Sequence, residues 1–332
     1  VRTTTHRRAR ALLATAALVT VGLIAAGCGD DSGNGGSGSG GDGDQKLSGS
    51  IRTDGSSTVA PLTKVAAEDF QAENSGVTVT VGTSGTGGGF EKFCNGETDI
   101  SNASRQIKED DEKEGANCKK NGIEWFELLI ANDGLTVVVN KDNDWAKCLT
   151  VEQLKKMWEP AAEKTITNWN QIDPSFPDQK LSLYGAGTDS GTFDYFTKAI
   201  VGEEGSSRTD YQPSEDDNVT VTGVSGEKGA LGYFGFSYFE ENADKVKAVE
   251  IDNGNGCVAP SVETVQDGSY APLSRPLFLY VSSKAAVRPE VKAFVKFYLD
   301  NIDTITKEAL FVTLTDEQKA TAKAELEAIE KA

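Results

Sequence analysis

Hydroxyl side chains and glycines crowd three short segments of this chain: Asp54-Gly55-Ser56-Ser57-Thr58 ahead of Pro61, Thr83-Ser84-Gly85-Thr86-Gly87-Gly88-Gly89 ahead of Phe90, and Gly187-Thr188-Asp189-Ser190-Gly191-Thr192 ahead of Phe193. Each reads as a turn leading into a helix. The first turn of a helix leaves backbone N–H groups without intrahelical partners and carries about half a positive charge. Glycine lets the backbone approach a ligand, and Ser or Thr adds a directed donor. Such a junction suits an oxyanion. One alone would be an ordinary N-cap and turn. Three that converge would surround an anion with neutral donors. A fourth segment, Asp99-Ile100-Ser101-Asn102-Ala103-Ser104-Arg105, adds a hydroxyl and a guanidinium, the group suited to bidentate oxyanion contact.

Catalysis is the weaker reading. Asp189-Ser190-Gly191 superficially has the look of a serine nucleophile, but the chain's one histidine, His6, lies in an N-terminal segment expected to be removed. A Ser-His-Asp triad then has no base, and metal hydrolysis has no imidazole ligand. The chain is read as a binding protein, not an enzyme, that calls for no cofactor and no metal.

The elements that must position these junctions show in the apolar spacing. Alternation marks strands at Leu47 to Thr53, Val77 to Val81, Leu135 to Val139 and Leu181 to Tyr184. Helical spacing follows most of them: Val59, Leu62, Val65, Ala66 and Phe70; Phe90 with Phe93; Phe193, Phe196 and Ile200; and later Val291, Phe294, Val295 and Tyr298. Thr150 and Gln153 have capping-box spacing ahead of Leu154, Met157 and Trp158. The acidic stretch Asp210 to Asp217 reads as a loop. Strands alternating with helices predict α/β lobes with mainly parallel sheets.

Thr58, Ser84-Gly85-Thr86-Gly87, Asp99 to Arg105, Ser190-Gly191-Thr192 and Gly229-Ala230-Leu231-Gly232-Tyr233 together resemble the phosphate-binding proteins of bacterial phosphate ABC transporters, as does Trp169-Asn170 with Ile172 and Pro174. The similarity runs from about Ser48 to Val281. It implies a two-lobed periplasmic-binding-protein type II fold, each lobe a central, mainly parallel sheet flanked by helices, with two hinge crossings. The crossings would fall in Ala131-Asn132-Asp133-Gly134 and near Tyr270 to Pro276, giving lobe I at 46–132 and 272–332 and lobe II at 133–271. By motif position the resemblance implies phosphate donors at Thr58 and the Val59 amide, Thr86 and the Gly87 amide, Ser104, Ser190, Gly191 and Thr192. Two positions depart from the family pattern. Ser104 stands where members carry an Asp that accepts the proton of hydrogen phosphate, and Ala186 replaces an Arg shortly before Ser-Gly-Thr. Arg105 is the candidate guanidinium and Asp189 the candidate acceptor. An acceptor in a sealed site favours hydrogen phosphate over sulfate, which would leave it unpaired. The same fold could otherwise serve sulfate, molybdate or phosphite. The implied partners are inorganic phosphate and a membrane permease, and the chain is expected to be a monomer.

The N-terminus fits export. Arg2, His6, Arg7, Arg8 and Arg10 precede an apolar run from Ala11 to Ala26, the order of a secretory signal, expected at 1–27. Ala25-Ala26-Gly27-Cys28 resembles a lipobox, with Ala25 where Leu is usual, and marks Cys28 for lipidation. Residues 28–45 are Gly, Ser, Asp and Asn rich and read as a flexible linker, placing the domain on the outer face of the cell membrane. A net charge of −18, from 33 Lys and Arg against 51 Asp and Glu, argues against nucleic acid or an anionic membrane surface as a partner. It leaves a small anion open, since surface charge is screened within about 8 Å. Four cysteines remain beside Cys28, an even number that suits two disulfides in an exported chain. Three pairings are open. Cys94 with Cys118 and Cys148 with Cys257 is favoured, the first closing a local loop and the second stapling one lobe.

Overall fold

The structure is a computed structural model that describes residues 46–188 and 190–332; the signal and linker segments, Cys28 and Asp189 lie outside the described residues. The strands among the described residues are β1 (Gly49–Gly55), β2 (Val77–Val81), β3 (Ile100–Ala103), β4 (Trp125–Asn140), β5 (Cys148–Thr150), β6 (Ser182–Ala186), β7 (Gln212–Ser214), β8 (Ala230–Gly235), β9 (Val246–Ala248), β10 (Glu250–Asp252), β11 (Cys257–Val258) and β12 (Ser274–Ser282). The α-helices are α1 (Ala60–Glu73), α2 (Gly85–Cys94), α3 (Gly115–Lys120), α4 (Val151–Trp158), α5 (Gly191–Phe196), α6 (Asp217–Gly226), α7 (Phe236–Asn242), α8 (Val262–Gln266), α9 (Ser283–Ala286), α10 (Pro289–Asp300), α11 (Ile302–Glu308) and α12 (Asp316–Lys331).

One nine-stranded sheet runs β2-β1-β3-β12-β4-β8-β6-β7, with β9 also on β4. Its flanks are parallel: β1 pairs with β2 and β3, and β6 with β7 and β8. Its middle is antiparallel, because β4 and β12 run past each other from Trp125 opposite Ser282 to Gly134 opposite Ser274. Beyond Gly134, β4 turns to β8 and β9 for its hydrogen bonds. A second, three-stranded sheet, β11-β10-β5, lies outside this one.

The apolar interior divides at that handover. Ile51, Leu62, Phe70, Leu128, Leu279, Phe294 and Tyr298 belong to one core. Leu135, Val137, Trp158, Trp169, Phe196, Tyr233 and Tyr270 belong to another. Local pattern explains both. In β1 and β2 alternate residues Ile51, Thr53, Val77 and Val79 are buried, and in α1 the buried Leu62, Ala66 and Phe70 recur at helical spacing. In the second core Phe196 stacks on Tyr233 at 3.7 Å between ring centroids, and the Trp158 edge packs on both.

Two features differ from the sequence expectation. The Leu135 to Val139 strand is the second half of β4, whose 16 residues pass without a break through Asn132, Asp133 and Gly134. Those polar residues are tolerated because each is satisfied: Asn132 exchanges backbone hydrogen bonds with Val312 and Asp133 accepts from Arg275. The Asp210 to Asp217 stretch is not all loop. It contains β7 and the start of α6, where Asp216 caps the helix by accepting from the Asn218 amide. β7 is a three-residue strand at the sheet edge with no buried face, so it shows no alternation.

Disulfides join Cys94 to Cys118 and Cys148 to Cys257. The first ties α2 to α3, and the second ties β5 to β11.

Candidate anion-binding site

The ends of β1 and β2 bring the first two junctions together through Asp54. Its carboxylate accepts from the Gly55 amide at 2.7 Å, from the Ser84 amide at 2.9 Å, from the Ser84 hydroxyl at 2.8 Å, and from Lys92. Burial works to raise its pKa, but these donors together hold it below the usual carboxylate value. Gly89, in the first turns of α2, lies so close to β1 that a Cβ there would sit 2.4 Å from the Gly55 Cα, so only a glycine there lets α2 pack against the end of β1. The third junction closes from the other core. Thr58 donates to the Gly191 carbonyl at 3.3 Å, and Ser57 donates to Asp194 at 3.3 Å.

The three junctions surround a cavity of about 460 Å³. Of the residues singled out in the sequence, Thr58, Thr86, Gly87, Ser104, Arg105 and Gly191 line it. Thr86 and Ser104 share a hydroxyl–hydroxyl bond of 2.9 Å, and the Ser104 amide donates to Thr86 Oγ1 at 3.2 Å. No side chain caps α2, whose first turn therefore faces the cavity with its amides uncapped. Three predicted donors do not line the cavity. Val59 is fully buried and its amide donates to Ser56 Oγ at 3.4 Å. The Ser190 hydroxyl accepts from the Thr192 amide at 3.1 Å, so this pair caps α5. Asp189 is outside the described residues.

Two guanidiniums reach the cavity wall. Arg105 makes a bidentate pair with the buried Glu114, at 2.9 and 2.6 Å. Arg275, on β12, donates through Nε to Asp133 at 3.1 Å and through Nη2 to Thr58 Oγ1 at 2.8 Å, and its Cζ lies 3.4 Å from the Tyr195 ring centroid. Burial raises the Asp133 pKa, and the Arg275 charge offsets part of that rise. Asp194, also on the wall, is raised by burial and partly restored by Ser57 and Arg275. Hydroxyls, helix amides and half-neutralised guanidiniums suit a tetrahedral oxyanion, and a carboxylate beside them can accept a proton from it.

A model of the PBP superfamily domain matches residues 40–301. The chain belongs to the PBP superfamily. Within it, the protein SphX of Synechocystis sp. is 51% identical over 273 residues, covering 82% of this chain and 80% of SphX. The phosphate-binding protein PstS of Staphylococcus saprophyticus is 40% identical over 271 residues, covering 81% and 82%. Among solved structures, a possible phosphate binding protein from Planctomyces limnophilus superposes with a TM-score of 0.80 at 44% identity, covering 85% of this chain and 99% of that one. This PBP-superfamily chain is a periplasmic-type substrate-binding protein.

Sequence reasoning missed Arg275, Asp194, Tyr195 and Lys198, all on the cavity wall. Three of them were within reach, since Asp194, Tyr195 and Lys198 lie in the one and a half turns that follow Thr192, on α5 and its π-helical continuation Thr197–Val201. Arg275 carried no comparable signal. It stands between Ser274 and Pro276, far from any Gly-Ser-Thr junction, and only the register that sets it opposite Asp133 brings it to the site.

Proposed function

We propose that this PBP-superfamily chain captures inorganic phosphate between its two cores and delivers it to the membrane permease of a phosphate ABC transporter. The observation that carries the reading is the convergence of three hydroxyl- and glycine-rich junctions, with guanidiniums beside them, on one cavity of a chain whose net charge is −18. So acidic a surface does not gather anions by general attraction, so capture relies on local dipoles and paired cations. The names of PstS and of the Planctomyces protein support phosphate as the anion.

The ligand set is Thr58, Thr86, Gly87, Ser104, Arg105 and Gly191, with Val59, Ser190 and Thr192 in the turns just behind them and Asp189 added from the sequence alone. Asp194 joins Asp189 as a candidate acceptor for the phosphate proton. Lobe I comprises 46–132 and 272–332, lobe II 133–271, and the chain acts as a monomer on the outer face of the cell membrane, held by lipid on Cys28 after removal of 1–27. Mass spectrometry of the native N-terminus tests the tether, and an unmodified Cys28 would leave a freely secreted protein.

Titration calorimetry at pH 7 with phosphate and then sulfate tests the function. Phosphate is expected to bind at least ~100-fold more tightly, the discrimination a site achieves when the wrong ligand leaves a buried polar group unpaired. Equal affinity would overturn the assignment.

A further inference from the structure

We infer that Arg275 is the guanidinium that grips the anion, acting as a clasp whose contacts span both cores; the inference rests on the phosphate reading above. The position before Ser-Gly-Thr where the resemblance implies an Arg holds Ala186 in this chain, so the charge must come from elsewhere. Arg105 is heavily committed. Its Nη1 serves both Glu114 and the Gln106 carbonyl, and its Nη2 serves Glu114, which leaves two of the five N–H donors of a guanidinium. Arg275 spends one on Asp133 and one on Thr58, which leaves three, including both on Nη1.

The geometry is held by the protein's own contacts. Asp133 is the cross-strand partner of Arg275 in the β4–β12 ladder, and both side chains are largely buried, at 17% exposure for Arg275 and 7% for Asp133. The guanidinium lies over the face of Tyr195, which fixes its plane. Tyr195 is in turn anchored by its hydroxyl, which donates to the Pro272 carbonyl at 2.8 Å. The adjacent Ser274 also lines the cavity, and its buried hydroxyl has no partner, so the same strand offers a second donor. Arg275 thus touches the start of α1 through Thr58, α5 through Tyr195, and the crossing strand through Asp133. An anion bound to it meets both cores at one side chain.

Arg275→Ala alone would leave Asp133 buried and unpaired and so confuse binding with folding. The double variant Arg275→Met/Asp133→Asn removes both charges together, and Arg275→Lys keeps the charge while losing the planar fork. Each is titrated with inorganic phosphate and with sulfate, and each is melted with and without phosphate. The double variant should bind phosphate ~100-fold more weakly, and Arg275→Lys ~10-fold more weakly, as expected for lost charge-assisted hydrogen bonds. The phosphate-induced rise in Tm should shrink accordingly, while the Tm without phosphate reports any loss of structural support separately. Phosphate affinity within ~3-fold of the unaltered chain, in the double variant or, should that not fold, in Arg275→Lys, overturns the clasp and leaves the phosphate reading standing. An unaltered chain that binds sulfate but not phosphate overturns the phosphate reading, and the same variants titrated with sulfate then decide the clasp. An unaltered chain that binds neither anion overturns both.

Discussion

Both guanidiniums at the cavity are paired with carboxylates of the protein itself: Arg275 with Asp133 and Arg105 with Glu114. Pairing lets a guanidinium sit half-buried without the cost of an isolated charge. The neutral donors then carry the fine fit. Thr86→Ala removes a hydroxyl that faces the cavity and bonds Ser104, and should weaken phosphate binding ~10-fold by calorimetry with little change in Tm, about the worth of one hydrogen bond. A third pair, remote from the cavity, controls stability instead. Arg208 is buried, with its side chain 4% exposed, and Asp210 answers it through two hydrogen bonds that pull the Asp210 carboxyl down to about 2. Because the folded-state pKa is depressed, this contribution is present above about pH 4 and fades as pH falls toward 2. Asp210→Asn should therefore cost about 1–3 kcal/mol in urea unfolding at pH 7, and the difference from the unaltered chain should shrink through that window. At this scale the hydroxyls and glycines were legible, because composition alone marks a junction. Arg275 was not, because its role comes from a strand register that no local pattern encodes.

Among elements, one close constraint bears directly on the cavity, the meeting of α1 and α5. A Cβ on Gly191 would sit 2.7 Å from the Thr58 amide nitrogen and 2.8 Å from its hydroxyl, so Gly191→Ala must push the two junctions apart. We expect ~10-fold weaker phosphate binding, since the added methyl displaces donors on both sides of the cavity; calorimetry on the alanine variant checks it. α4 offers a test unconnected to binding. Thr150 accepts from the Gln153 amide while the Gln153 side chain accepts from the Thr150 amide, the box read from sequence spacing. Thr150→Ala should cost about 1 kcal/mol in chemical unfolding and leave phosphate affinity intact. Helices with a clear apolar face and strands with one buried side were readable for the same reason, that a single period repeats. β4 was only half readable because Asn132-Asp133-Gly134 breaks its apolar run, and the partners that make those residues tolerable, Val312 and Arg275, lie more than a hundred residues away.

For the whole molecule, the two disulfides differ in how much chain they confine. Cys94–Cys118 spans 24 residues and Cys148–Cys257 spans 109, so chain entropy gives about 3 and about 5 kcal/mol respectively. Paired Cys→Ser variants, unfolded in urea, should follow that order. The α/β character followed from alternating strand and helix signals and the two-lobed division from the family resemblance, whereas the single sheet that runs through both cores depends on β4 and β12 lying side by side, which only long-range pairing decides. That shared ribbon has a mechanical consequence. A hydrogen-bonded pair of strands resists stretching and in-plane shear but yields to twist, so it behaves as a torsion spring rather than a loose hinge. Its one irregularity, a register shift between Leu277 and Phe278, lies just inside the first core and marks where the twist can concentrate. Hydrogen exchange should then show the amides of β4 staying protected while those of the first turn of α2 exchange freely without phosphate and slow when it binds.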